Sequence, residues 1–345
     1  MTDDTSMAIL LAGQLDRILA ARVDTAAFKA AEAGEVGAEL AKEIAALELA
    51  LAIVPEDQGG AGLSWSDLGH LLQALGYHAA PVTLGEDIVA NRLLADAAME
   101  RVPAVAIASD MLVLENGLVS GSCVLQGSVH PMSMLVVAAS ATGHRLCVID
   151  LAGGQECKLA TIGRDPRTRI TFHGASPRQV SAQAVAEDIL LAPLAVLRAT
   201  QIAGALSRIL EMSIDYGNTR VQFGRPIGKF QAIQHMVAEL AAEAAAASAA
   251  VQIGLRCLDQ GRLLQAASVA KIRTSRAAGK GAAIAHEVHG AIGVTDEFAL
   301  HYFTRRLWQW RDEAGDEHAW SERLGNSILA SGGDRLWPDL VSLSA

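Results

Sequence analysis

Residues 236–254, MVAELAAEAAAASAAVQIG, constrain the fold more than any other stretch of this chain. Alanine is the strongest helix former and gives up no side-chain entropy in a helix. A helix this rich in alanine offers little apolar surface per residue, so it is stable only where neighbouring helices approach closely. The whole chain shares the bias: 51% of its residues are hydrophobic but only 4% are aromatic. The core must be built from Ala, Leu, Val and Ile, and a tight helical bundle is the expected result.

With 345 residues the chain can bury a large core and divide into two or three substructures. A net charge of −10 argues against a nucleic-acid or anionic-membrane partner, while leaving room for a local basic pocket. The four cysteines show no CxxC spacing and read as ordinary reduced thiols. The opening MTDDTSMAILLAGQLDRILAARVD is acidic and then amphipathic, without the basic start of a signal peptide. No uninterrupted apolar run reads as a membrane span, and a cytoplasmic location is expected.

Residues 1–101 carry helical periodicity on both sides of a break at Pro55–Gly62, and one helix is expected to start with Ser64 as N-cap and to end at Gly76. From Val102 to about residue 185 the texture changes to short β-rich runs: AVAIAS, MLVLENGLVSGSCVLQG, MSMLVVAAS, HRLCVIDL and TRITFHG. Asn116–Gly117 and other glycine breaks separate them, as antiparallel hairpins require. Residues 186–345 return to helical patterns near 189–219, 230–260, 264–289, 296–312 and 316–331. The expectation is an α+β, mainly α fold: an N-terminal helical domain, a small middle β-domain and a C-terminal helical bundle.

Between two of those helices stands YGNTRVQFGRPIGKFQAIQH, residues 216–235. Arg220 follows a helix end, and Gly224, Pro226 and Gly228 stop the helix from continuing. The next helix starts near Lys229, with its free N–H groups and dipole directed at the joint. A guanidinium that can fork two hydrogen bonds onto phosphate suits such a place to a diphosphate. Gln231 and Gln234, three apart on one helical face, could reach a ribose or base. A capped turn whose arginine pairs with an acidic residue is the alternative.

This stretch resembles the R-x-Q-F-G-x-P-I-x-x-F-Q-x-x-Q signature of the acyl-CoA dehydrogenase family. VPEDQGGAGLS (54–64) resembles the family's PE-x-x-GG-x-G turn, and HEVHGAIGVTDEFALHYFTRRL (286–307) its Q-x-H-G-x-x-G-x-T-x-E segment. The order helices, β-domain, helices agrees along essentially the whole chain. The resemblance implies FAD at a subunit interface, with Arg220 on the cofactor diphosphate and Gln222, Phe223 and Gln231 at matching cofactor positions. His289–Gly290 matches the turn that approaches the other subunit's FAD. It implies α,β-dehydrogenation of an acyl-CoA thioester, in which a carboxylate removes the α-proton while the β-hydrogen leaves as hydride to the flavin.

The chain departs from that pattern where the chemistry should be. Nine residues after Arg305, where most members carry a Glu-Gly base, stands Ala314–Gly315; the alternative place in other members holds Leu194 and Ala195. The strand motifs that meet the flavin ring are missing apart from a possible remnant, Ser109–Asp110. Glu287 replaces the glutamine before the His-Gly turn. The expectation is half of a site, with no catalytic residue of its own and no metal, His286 and His289 being too few ligands. The resemblance implies an acyl-CoA dehydrogenase-like subunit of an α2β2 complex, whose second acyl-CoA dehydrogenase-like subunit supplies the Glu and meets the acyl-CoA. Its substrate is expected to be steroid- or terpenoid-derived and its electron acceptor an electron-transfer flavoprotein or similar. The alternatives are a self-sufficient homo-oligomer using Glu313 or Glu317 as a displaced base, and a flavin-free structural subunit. Trp308, Trp310, Trp320 and Trp337 read equally as helix packing or as an interface.

Overall fold

A computed structural model describes residues 3–342 except 36, 103–104, 127–131 and 166. The first residue of AVAIAS and the lead-in to MSMLVVAAS therefore lie outside the described residues. The chain divides into two compact units, residues 1–68 with 81–194 and residues 69–80 with 195–345.

In the first unit, α1 (Asp3–Arg22), α2 (Thr25–Glu32) and α3 (Ala38–Ala45) precede the break. Asp24 caps α2, its carboxylate accepting from the Ala27 N–H at 2.9 Å. Leu15 and Leu19 of α1 are fully buried, as their four-residue spacing on one face requires. At the break, Glu56–Gln58 makes a single 3₁₀ turn. The helix α5 (Leu84–Asp96) then leads into the sheet, after α4 (Gly69–Tyr77), which belongs to the second unit. Ser64 does cap, in a reciprocal pair with Asp67 (2.6–3.1 Å), but the residues after it form turns, so the helix begins at Gly69.

The sheet comprises β1 (Val105–Ala108), β2 (Leu112–Glu115), β3 (Leu118–Gln126), β4 (Ser133–Ser140), β5 (Gly143–Asp150), β6 (Gln155–Leu159), β7 (Arg167–Ala175) and β8 (Gln179–Val180). Its order is β6-β7-β3-β1-β4-β5-β8, with β2 paired to β3 and β4. Asn116 and Gly117, at φ 51° and 77°, form the expected two-residue hairpin turn. Two pairings depart from the all-antiparallel expectation: β1 and β2 both run parallel to β4. They are one strand interrupted at Ser109–Asp110. Asp110 accepts from the Val124 N–H (2.8 Å), which satisfies a β3 donor at the interruption, and Ser109 Oγ accepts from the Gln126 side chain (3.1 Å). Ile149, Phe172, Met134 and the thiols of Cys123 and Cys147 fill the sheet core. Burial raises both thiols, to about 12 and about 11, which leaves them protonated and inert.

The second unit is the bundle: α6 (Leu191–Thr219, from Ala195), α7 (Gln231–Asp259), α8 (Leu263–His289), α9 (Leu300–Asp312), α10 (Glu317–Ser331) and α11 (Gly333–Val341). The close approach demanded by the alanine content is realised. A Cβ on Gly254 of α7 would lie 2.8 Å from the Ala270 Cβ of α8, and one on Gly76 of α4 would lie 2.0 Å from the Gln201 carbonyl oxygen of α6. Contrary to the sequence expectation, α7 has the length and composition of a membrane span. Its environment in this unit is α8: Leu240, Ala244, Ala247 and Val251 are buried, and Glu243 pairs with Arg273 and Lys280 of α8 at 2.5 and 3.1 Å. Trp310 and Trp320 are core residues, whereas Trp337 on α11 is 72% exposed. The packing reading thus holds for Trp310 and Trp320.

Candidate functional site

The joint between α6 and α7 is a miniature hairpin. Strands β9 (Val221–Gln222) and β10 (Arg225–Pro226) pair antiparallel across a two-residue turn, Phe223–Gly224, with both φ angles positive (53° and 80°). Such a turn matches the natural twist of its strands but is strained for a residue with a side chain. Arg220 N–H donates to the Tyr216 carbonyl and the Ile227 N–H to the Arg220 carbonyl, each at 2.9 Å, so the backbone of Arg220 is pinned on both sides. One turn of 3₁₀ helix, Ile227–Lys229, then feeds α7.

A cavity of about 490 Å³ opens at this joint. Arg220, Gln222 and Phe223 line it from the joint, and Glu287, His289 and Gly290 line it from the end of α8. Two segments about seventy residues apart in sequence, each singled out above, therefore share one wall. Gln231 does not line the cavity; it is the exposed first residue of α7. Gln234 is committed elsewhere, its Nε2 donating to the Gly228 carbonyl at 3.0 Å as a cap on the joint.

The two arginines of the joint differ. Arg225 lies over the Phe230 ring at 4.2 Å. Among the described residues the Arg220 guanidinium has no hydrogen bond or ion pair, although it sits beside the start of a 29-residue helix. His289 is buried, with Nδ1 on the Ala285 carbonyl at 2.7 Å and its ring stacked on Tyr216 at 4.6 Å. Burial holds its pKa below the usual histidine value, partly offset by the carbonyls of Ala285 and Met212, so at neutral pH it is an uncharged wall. Gly290 ends α8 at φ 63°. His286 turns away, its Nε2 on Thr304 Oγ1 at 2.9 Å and its ring stacked on Trp308. Glu287 places a carboxylate on the same cavity as Arg220.

The turn between α9 and α10 is closed. Ala314 is buried, at φ 56°, and its carbonyl accepts from Trp320 Nε1 at 2.9 Å. Glu313 is bound by the Arg198 Nε at 2.5 Å and by Gln309 Nε2 at 2.8 Å, and Arg198, 1% exposed, also donates to Gln201 at 2.8 Å. A carboxylate tied to a buried guanidinium and an amide is poorly placed to take a proton from carbon. Leu194 and Ala195 are both fully buried and apolar. Glu317 is the first residue of α10, half-buried beside its N-cap Asp316. The Arg198–Glu313 pair, 115 residues apart in sequence, had no signal in any local motif.

The comparisons with known proteins agree with this architecture. Residues 8–101 match the family model for the acyl-CoA dehydrogenase N-terminal domain, and residues 187–310 that for the acyl-CoA dehydrogenase C-terminal domain. The chain is 29% identical over 298 residues to the acyl-CoA dehydrogenase IpdE2 of Mycobacterium tuberculosis, covering 84% of this chain and 87% of that protein. Its fold is similar to a variant of the Tcur3481–Tcur3483 steroid ACAD (TM-score 0.85, 24% identity, 94% of this chain and 98% of that one). It is equally similar to a chain of the ChsE4–ChsE5 complex from Mycobacterium tuberculosis (TM-score 0.85, 20% identity, 96% and 98%). The family is one of FAD-binding flavoproteins. With both of its domains matched in order, and a relative aligned along most of its length, the chain belongs to the acyl-CoA dehydrogenase family.

Proposed function

We propose that this chain is the subunit of a heteromeric acyl-CoA dehydrogenase that completes the cofactor site, while a partner chain of the same family supplies the catalytic carboxylate. The observation that carries the reading is the Arg220 guanidinium, which has no hydrogen bond or ion pair among the described residues and lies on the wall of a cavity of about 490 Å³. A cation kept unpaired beside a helix N-terminus is suited to phosphate oxygens. Arg220 would hold the FAD diphosphate, Gln222 and Phe223 would border it, and His289 with Gly290 would form the facing wall. Gln231, outside that wall, would meet the cofactor only where it emerges from the cavity. The exposed carboxylate of Glu287 repels phosphate, so the group it faces should be a hydroxyl or amino group of the ligand.

When bound, FAD supplies the acceptor for the substrate's β-hydrogen. This chain's residues bind and orient the cofactor, and the α-proton goes to a carboxylate of the partner, because position 314 holds a methyl group and Glu313 is held by Arg198. Steroid-derived acyl-CoA is the proposed substrate class, supported by the likeness to a steroid enzyme of two subunit names. An electron-transfer flavoprotein is the proposed acceptor.

The test is the visible spectrum of the chain purified alone and after co-expression with an acyl-CoA dehydrogenase-like partner. Flavin absorbance in the complex, lost or weakened by about 1.5–3 kcal/mol of binding in Arg220→Ala, is the expected result for one charge-assisted contact. Unchanged flavin content in Arg220→Ala overturns the assignment of the joint. A complex without flavin would make the chain a structural subunit.

A further inference from the structure

Lys271 lies in the third turn of α8 and is completely buried. Its Nζ donates to the carbonyls of Trp310 (2.5 Å) and Arg311 (2.8 Å), two of the last carbonyls of α9, which have no partner within their own helix. The charged groups that face it are Arg198 from α6, Asp312 at the end of α9, and Glu313 and Asp316 from the turn into α10. The helix α7, which also packs on α8, contributes none of them.

The donor count and the charge count point the same way. A neutral amine has two N–H bonds, and Lys271 has two carbonyls to receive them. A third N–H would need a further acceptor. The half-buried carboxylate that acts on it most strongly, Glu313, already accepts from Arg198 and Gln309. With Lys271 neutral, Arg198 and Glu313 balance each other. With Lys271 charged, two buried cations share Glu313, and beyond it only Asp312 and Asp316 can compensate.

We propose that Lys271 is a proton-sensitive pin: as a neutral amine it holds the end of α9 and the turn into α10 closed, and uptake of a proton from solvent releases them. Consistent with this, burial pushes the Lys271 amine down to about 7, the pull of Glu313 being outweighed. None of these residues lines the Arg220 cavity, so the pin acts whatever that cavity holds. A lysine released to solvent keeps its proton up to about pH 10.4. Between that value and about 7 the open turn binds a proton that the closed turn does not, so falling pH favours opening. Below about 7 both forms hold the proton, and the dependence ends.

The experiment is native-state hydrogen exchange on the full-length chain as it purifies, corrected for the intrinsic pH dependence of amide exchange. The reporting amides are those of Glu313, Ala319 and Trp320, which donate to Gln309, to the Asp316 carboxylate and to the Asp316 carbonyl. Protection there should fall at least ~10-fold from about pH 9 to about pH 7 and then stay level to about pH 6. Lys271→Met should show no such fall. Equal protection in the unsubstituted chain at both ends of the alkaline range overturns the pin, and so does the same fall in Lys271→Met. Should that variant fail to fold, the unsubstituted chain still decides: a fall shared equally by the α7 amides is unfolding of the bundle and overturns it, and one confined to 313–320 supports it.

Discussion

Phe223 and Ala314 share a backbone conformation that residues with side chains rarely adopt, φ 53° and 56°, at a cost of about 1 kcal/mol each. Their surroundings are opposite. Phe223 is 90% exposed at the tip of a hairpin, beside a guanidinium without a partner among the described residues. Ala314 is 4% exposed in a turn whose neighbours are all engaged: Glu313 by Arg198 and Gln309, the 314 carbonyl by Trp320, the end of α9 by Lys271. Strain persists only where the surroundings hold it. At 314 the chain itself supplies those surroundings. At 223 the β9–β10 pairing holds the backbone while the ring stays exposed, free for a contact with a ligand or partner. On the proposed function, one member of the pair is a site left open and the other a turn that is sealed.

The largest expected effect breaks the seal. Glu313→Ala leaves the Arg198 guanidinium, 1% exposed, without its carboxylate, and should lower stability by about 3–5 kcal/mol. Arg220→Ala, by contrast, should leave the stability of the isolated chain within about 0.5 kcal/mol, since its side chain makes no hydrogen bond or ion pair among the described residues. Urea denaturation of both variants checks the contrast. A loss in Glu313→Ala no greater than in Arg220→Ala would mean that Arg198 and Glu313 are not the seal.

A smaller effect tests the other clasp on the same turn. Trp320→Phe keeps most of the ring but leaves the buried Ala314 carbonyl without its donor, which should cost about 2 kcal/mol. Thermal unfolding of the variant measures it. A change below about 0.5 kcal/mol would show that the left-handed turn is held by Glu313 and Lys271 alone.

The open member of this pair was far more legible in the sequence than the sealed one. Arg220, Gln222, Phe223 and His289–Gly290 stand in contiguous motifs whose glycines and proline announce a broken helix, and the structure brings them to one cavity. The bundle helices were equally plain, because alanine and leucine at helical spacing leave few alternatives: α6 and α8 end at residues 219 and 289, where the periodicity stops. The seal was invisible. Arg198, Lys271 and Glu313 lie on separate helices or turns, and as single charges in amphipathic stretches each reads as solvated. Glu313 accordingly looked available as a base, whereas in the fold its carboxylate is engaged by Arg198 and Gln309. Local rules also missed the parallel pairing of β1 and β2 with β4, because an interrupted strand and two hairpin strands share one pattern of alternation. They missed α11 as well, whose internal Pro338 argues against a helix by propensity alone.

The smallest effect sharpens what the open turn is for. Phe223→Gly removes the left-handed strain, but it also gives the unfolded chain more freedom and loses the edge contact with Phe230 at 6.1 Å. These terms are each near 1 kcal/mol or below and oppose one another, so the isolated chain should change by less than about 0.5 kcal/mol. The effect should appear only in the complex with the partner chain, as weaker flavin retention or weaker association, because a ring 90% exposed in one chain has its contacts to gain elsewhere. Thermal unfolding of the chain alone, set beside the flavin content of the co-purified complex, separates the two possibilities. A variant that destabilises the isolated chain by more than about 1 kcal/mol and leaves the complex unaltered would make Phe223 a structural residue like Ala314, and the contrast between the two turns would fail.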